Sequence, residues 1–248
     1  MAAPDFWRQL GFFDPNSFDK EVHIVGVGAT GSHIAHTLAC MGIQKMTVYD
    51  FDVVETHNLP NQIYRMKDVG KLKVDALKEI IQEKMGIEIK TVSKKVEKAT
   101  FGGYVFMCID SMDSARGIVT TSIFNKPAVE LMIETRMGLV EGRIYCVDPH
   151  NKIHIDKWKQ SWYSDSEAAE SPCNLRAIAA TAEQLAARAC LRVALQVGLE
   201  RAAGTVATGL FAHILTGGDA WNEALVGING STPLLQFWDD LKEMENSV

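Results

Sequence analysis

Residues 22–32, VHIVGVGATGS, set Gly26, Gly28 and Gly31 directly after an apolar run and at the start of a helical pattern. Glycines there let the backbone approach a phosphate, and the helix that follows offers unpaired N–H groups to it. Asp50 stands about 20 residues further on, at the end of the next apolar run, where a carboxylate can take ribose hydroxyls. Strand, glycine turn, helix and acidic residue together make the context in which the three glycines read as a nucleotide site instead of a plain turn. More polar residues follow: Asp52, Asn58, Gln62 and Arg65, then Lys71 and Lys73 in DVGKLKVDALK, then Asp110, Asp113 and Arg116 in IDSMDSAR.

The elements that must hold these residues alternate. Apolar runs at VHIVG, KMTVYD, IEIKTVS, YVFMCID and AVELMI are separated by helical patterns over 31–41, 70–85 and 112–124, the rhythm of an α/β, doubly wound, mostly parallel sheet. GRIYCVD, 142–148, reads as an added strand. Residues 150–172 lose periodicity and collect charge and aromatics, so a long surface excursion is expected there. From Asn174 to about Val197 the pattern is helical, with Leu175, Ile178, Leu185, Ala189 and Val193 on one face. A further helix over 205–217 and one or two closing strands over 223–239 complete the pattern. Neither an internal repeat nor a Pro/Ser-rich linker divides the chain, so residues 1–248 are read as a single domain.

The chain has 248 residues, 47% of them hydrophobic and 23% charged, which suits one large globular domain. A formal charge of −6 argues against a partner recognised through a phosphate backbone, so nucleic acid is not expected. No apolar run reaches the roughly 20 residues of a membrane span and the first residues lack a basic, then apolar, leader; no membrane is expected, and a cytoplasmic location is. Cys40, Cys108, Cys146, Cys173 and Cys190 form no C-x-x-C pair, so neither a disulfide framework nor a structural zinc is expected.

The order of these motifs resembles the ThiF/MoeB family, the activating enzymes for ubiquitin-like proteins, which read D-x-D-x-V-E-x-x-N-L-x-R-Q, then G-K-x-K, then D-x-x-D. The match is close over about residues 6–148 and looser beyond. The resemblance implies an ATP-binding, Rossmann-like fold and adenylation of the C-terminal carboxylate of a small protein ending in Gly-Gly. It implies that Lys73 neutralises the phosphates, that Asp113 holds Mg²⁺ with Asp110 beside it, that Asp50 holds the ribose, and that Asn58 places a phosphate or the metal's shell. In the N-terminal FWRQLGFF, Arg8 matches an arginine that reaches across a two-fold interface into the partner's ATP site, so a homodimer is expected.

Two departures matter. The family's N-L-x-R-Q is Asn58-Leu59-Pro60-Asn61-Gln62, so a neutral amide stands where a permanently charged guanidinium would contact phosphate; Arg65 is the nearest candidate to compensate. The family's zinc-binding cysteines are absent. Pro172-Cys173-Asn174-Leu175 resembles the segment around the thioester-forming cysteine of ubiquitin-activating enzymes, and Cys173 at an expected helix start is the candidate nucleophile, since unpaired N–H groups there stabilise a thiolate. The other four cysteines lie in apolar patterns that suit small buried residues. Two alternatives stay open at this point: a binding or scaffold subunit of the same family with little or no catalysis, and a nicotinamide-dependent Rossmann oxidoreductase.

Overall fold

The computed structural model describes residues 4–137, 141–167, 179–202 and 222–227. A seven-stranded sheet forms the centre: β1 (Val22–Val25), β2 (Met46–Tyr49), β3 (Lys90–Val92), β4 (Gly103–Met107), β5 (Val129–Met137), β6 (Glu141–Val147) and β7 (Asn222–Gly227). Its order is β3-β2-β1-β4-β5-β6-β7. The first five strands run parallel, with Val22 opposite both Met46 and Tyr104, while β6 and β7 add on antiparallel.

The central strand β1 is buried at all four positions, which is why it reads as a continuous apolar run and not as an alternation. Its one polar residue, His23, is satisfied at 2.9 Å by the Tyr49 hydroxyl, and burial lowers its pKa. Side chains then alternate between two cores. Ile24, Tyr104 and Phe106 face helices α1 (Ala29–Cys40), α2 (Lys73–Met85) and α5 (Ala179–Ala202), whereas Val25, Val105 and Met107 face α3 (Met112–Ser122) and α4 (Lys152–Gln160). Helices on both faces of a mostly parallel sheet are the architecture the sequence rhythm predicts. The strand order switches between β1 and β4, and the carboxyl ends of the strands at such a switch are where open α/β sheets form a ligand crevice.

Residues 150–172 need a correction. Lys152–Gln160 is helical, not an aperiodic excursion: the Asn151 side chain accepts from the amides of Ile153 and His154, and Ile155 and Trp158, three apart, are buried against α3 and the sheet. Two buried positions in nine residues are too few for a period to stand out among so many charges. In α5 the predicted face is correct at Leu185, Ala189 and Val193, all buried; Leu175 and Ile178, the helix expected over 205–217 and most of the closing strands lie outside the described residues. No helix among the described residues is long and apolar enough to cross a membrane.

Candidate active site at the carboxyl ends of the strands

The three glycines have different tasks. Gly26 turns the chain out of β1 with φ +88°, and a Cβ there would meet the Cys108 carbonyl oxygen at 2.7 Å. At Gly31 a Cβ would lie 1.9 Å from the Gly26 carbonyl oxygen, so only hydrogen lets α1 pack onto its own entry loop. Gly28 is unlike both: a Cβ there meets nothing within 4 Å. Protein packing therefore does not explain the glycine at position 28. It is the N-cap of α1, and no side chain among the described residues caps it, so the first amides of α1 have no side-chain acceptor.

The loop is pinned from both sides. Asp50 Oδ2 accepts from Val27 N at 2.8 Å and Oδ1 accepts from Asp52 N at 2.9 Å. Each oxygen keeps a second lone pair for another donor. The Tyr64 hydroxyl donates to the Val27 carbonyl at 2.7 Å, and burial holds that phenol well above its ordinary pKa, so it stays a donor. Tyr64 was not legible as a site residue; in the sequence it is one aromatic in a polar stretch.

Lys73 opens α2, where a cation is disfavoured by the helix dipole unless an anion stands near. Only 7% of the residue is exposed, and Nζ donates to Asp52 Oδ2 at 2.9 Å, its one acceptor among the described residues. Two donors of the ammonium remain. Since Asp52 follows Asp50, a continuous set of bonds joins the glycine loop to this lysine. Asn58 is buried with its Oδ1 accepting from Glu55 N at 2.9 Å, which commits the carbonyl to a tight turn and leaves the amide N–H₂ to act as a donor. Gln62 Oε1, four residues on, is buried and has no hydrogen-bond partner among the described residues.

Arg65 faces elsewhere. Its Nε donates to Asp68 Oδ2 at 2.8 Å, Nη2 to Asp68 Oδ1 at 3.2 Å, and Nη1 pairs with Glu83 on α2. Burial would raise the Asp68 carboxyl, but the Arg65 hydrogen bonds outweigh it and hold it below the usual range. The guanidinium thus ties the 60s segment to α2. On the other side of the crevice Asp110 and Asp113 are both exposed. Ser111, not Asp113, is the N-cap of α3, accepting from Ser114 N at 3.1 Å. Arg116 lies over the Trp162 ring at 3.9 Å.

A model of the ThiF family matches residues 16–226. The chain belongs to the ThiF family. Over 63 residues it is 38% identical to ubiquitin-like modifier-activating enzyme 5 of Caenorhabditis briggsae, a match spanning 25% of this chain and 15% of that protein. Over 66 residues it is 42% identical to the adenylyltransferase and sulfurtransferase uba4 of Emericella nidulans, 26% of this chain and 14% of that one. The chain thus spans only a small part of the curated relatives it matches. Among solved structures it resembles E. coli MccB with ATP, TM-score 0.55 at 16% identity over 74% of this chain and 58% of that chain, and E. coli tRNA N6-threonylcarbamoyladenosine dehydratase in complex with AMP, TM-score 0.54 at 16% identity over 82% and 99%. These likenesses bear out the ThiF-type α/β fold.

The ThiF pattern's remaining members divide by position. Arg8 is exposed beside Trp7, at 5.5 Å from its ring, in a segment that Gln9 anchors to the Met41 carbonyl at 2.7 Å, at the end of α1 opposite Gly28. Cys173 lies outside the described residues. Burial pushes the Cys108 thiol up to about 12 and raises Cys146 and Cys190 as well, which makes these three poor nucleophiles; Cys40 is half-buried.

Proposed function

We propose that the crevice binds ATP with its phosphates over Gly28 and Lys73, and that the chain adenylates the C-terminal carboxylate of a ubiquitin-like protein ending in Gly-Gly. The observation that carries this reading is Gly28: an uncapped helix N-terminus with open space where a Cβ would stand, joined by hydrogen bonds to a buried lysine. Asp50 would take ribose hydroxyls on its remaining lone pairs, and the buried Gln62 Oε1, without a partner among the described residues, supports a polar ligand. Asp113, with an exposed carboxylate, suits Mg²⁺, which takes one or two protein carboxylates and completes its shell with phosphate and water. The ion would neutralise the phosphate oxygens as charge develops on them.

In the reaction a carboxylate oxygen of the tail attacks the α-phosphorus, the bond from that phosphorus to the bridging oxygen breaks, and pyrophosphate leaves with the electron pair. Lys73 and the α1 amides stabilise the added charge. In a second step the Cys173 thiolate would attack the carbonyl carbon of the adenylate, forming the thioester and releasing AMP. The relatives' names support a ubiquitin-like substrate. The site acts within a homodimer, with Arg8 supplied by the partner.

ATP–pyrophosphate exchange with a ubiquitin-like protein tests the first step: exchange is expected in wild type and is expected to fall on the order of 10²-fold or more in Lys73→Ala. Exchange unchanged in the variant would remove the lysine from the site. The thioester step is read separately. Cys173→Ser should keep exchange but lose a reductant-sensitive covalent complex with the partner. One observation favours a second reading, a subunit that binds ATP without adenylating: Arg65 is held by Asp68 and Glu83, so nothing in the 60s segment restores the charge lost at Asn61. ATP binding without exchange is its signature.

A further inference from the structure

The segment that leaves α4 turns back onto the N-terminus of α3, and Asp165 is the residue it delivers. Asp165 Oδ1 accepts from Met112 N at 2.6 Å and from Asp113 N at 3.4 Å, and Oδ2 accepts from the Ser111 hydroxyl at 2.7 Å. The bond is returned: Asp165 N donates to Asp113 Oδ2 at 3.2 Å. Hydrogen bonds from Ser111, then from the Met112 and Asp113 amides, hold the Asp165 carboxyl below its ordinary range.

This is not an isolated surface contact. The Trp162 indole N–H donates to the Met112 carbonyl at 3.2 Å while the ring carries the Arg116 guanidinium. One residue earlier, the Ser161 carbonyl accepts from Arg136 Nη1 at 2.8 Å, and Arg136 is itself held by the buried Glu134, which also takes the Trp158 indole N–H at 2.6 Å. Residues 158–165 are therefore fastened at β5 and again at the start of α3. The N-termini of α1 and α3 differ as a result: that of α1 has no side-chain cap, and that of α3 is closed by a protein carboxylate.

We propose that Asp165 is a positioning residue for Asp113: it closes the α3 N-terminus and, through its own N–H, fixes one oxygen of the Asp113 carboxylate so that the other is presented to the divalent cation of bound ATP. An exposed aspartate on a first helical turn otherwise samples several rotamers, and fixing it removes that entropy from the binding step. The bond from Asp165 N goes to Asp113 Oδ2, and the two carboxyl groups also lie within reach of each other. The inference rests on the proposed ATP site, and its test separates the two.

Calorimetry on the full chain with ATP, once in Mg²⁺ and once in EDTA, reads the metal-dependent part of binding directly. Asp165→Ala should weaken binding in Mg²⁺ by about 10-fold, the lower end of the effect of losing a group that orients a ligand, and change binding in EDTA by less than about twofold. Asp165→Asn should stay within about threefold of wild type, because its amide oxygen still accepts from Met112 N and its backbone N–H is unchanged. In an Asp113→Asn background, Asp165→Ala should add nothing. Equal losses with and without Mg²⁺, no loss at all, or an Asn variant as weak as Ala would each overturn the assignment. Wild type that gains no affinity from Mg²⁺ would overturn the metal site itself, and Asp165's task with it.

Discussion

Gly28 and Gly31 sit three residues apart at the start of α1, yet a methyl group added to each meets opposite surroundings. Gly31→Ala forces a Cβ to within 1.9 Å of a backbone oxygen and should destabilise the fold by about 3 kcal/mol or prevent folding. Gly28→Ala meets no protein atom, so its melting temperature should stay close to wild type, lowered only by the weaker cap, while ATP binding falls by tenfold or more. Thermal unfolding and calorimetry on the same two variants check this, and ATP binding retained in Gly28→Ala would move the phosphates off this loop. That the glycine loop, Asp50 and Lys73 come together was legible in the sequence, because motif type and spacing carry it, and the structure joins them through Val27 and Asp52. Tyr64 and Asp165 were not, since a hydrogen bond from a distant loop leaves no periodic or local signature. Arg65 shows the converse: a guanidinium in a polar stretch has no mark that distinguishes a phosphate contact from the Asp68 and Glu83 pairs it makes.

At the scale of elements, strands buried on both faces and helices with one apolar stripe were legible, whereas α4 was hidden by its charges and emerges only through its cap and two anchors. Asn151→Ala should cost about 1 kcal/mol through the lost cap, and Trp158→Ala about 3–5 kcal/mol, because it empties the space against Phe124 and strips the indole donor from the buried Glu134. Denaturant unfolding of both variants measures the ratio; equal effects would mean that α4 is not seated through Trp158. The α1–α2 contact carries a pH dependence of its own. His36 Nε2 lies 2.8 Å from Lys84 Nζ, and burial, then the Lys84 and His33 charges, lower its pKa to about 4. The native state is thus the less protonated one, so this contribution to stability is complete above the unfolded value of about 6.5 and is lost as pH falls toward 4. His36→Gln should show a smaller loss of melting temperature between pH 7 and pH 5 than wild type, retaining the part due to His23, His33 and His154, whose pKa values are lowered in the same direction. An identical loss in both proteins would assign the slope elsewhere.

At the scale of the molecule, the N-terminal segment lies against the C-terminal end of α1, while the proposed phosphate site is at its N-terminal end. Twelve residues of helix put about 18 Å between those ends, so within one chain Arg8 stands far from Gly28. The same segment exposes Trp7, Leu10 and Phe12, apolar side chains that a second copy of the chain would cover. A two-fold interface on this face would make the contact reciprocal, each Arg8 entering the other subunit's site. If so, Arg8→Ala and Lys73→Ala should each be nearly inactive alone but should complement when mixed. In a mixed dimer the site that keeps Lys73 receives its arginine from the chain that keeps Arg8, and the other site lacks both cations. With random exchange of equal amounts, half of the dimers are mixed, so about a quarter of all sites regain activity. Pyrophosphate exchange measured after subunit mixing reads this directly. Sedimentation at micromolar concentration should show a dimer, and Trp7→Glu should shift it toward monomer while leaving the fold intact, since Trp7 is 63% exposed in the single chain. A monomeric wild type, or no recovery once exchange is demonstrated with differently tagged chains, would return Arg8 to the role of a surface residue.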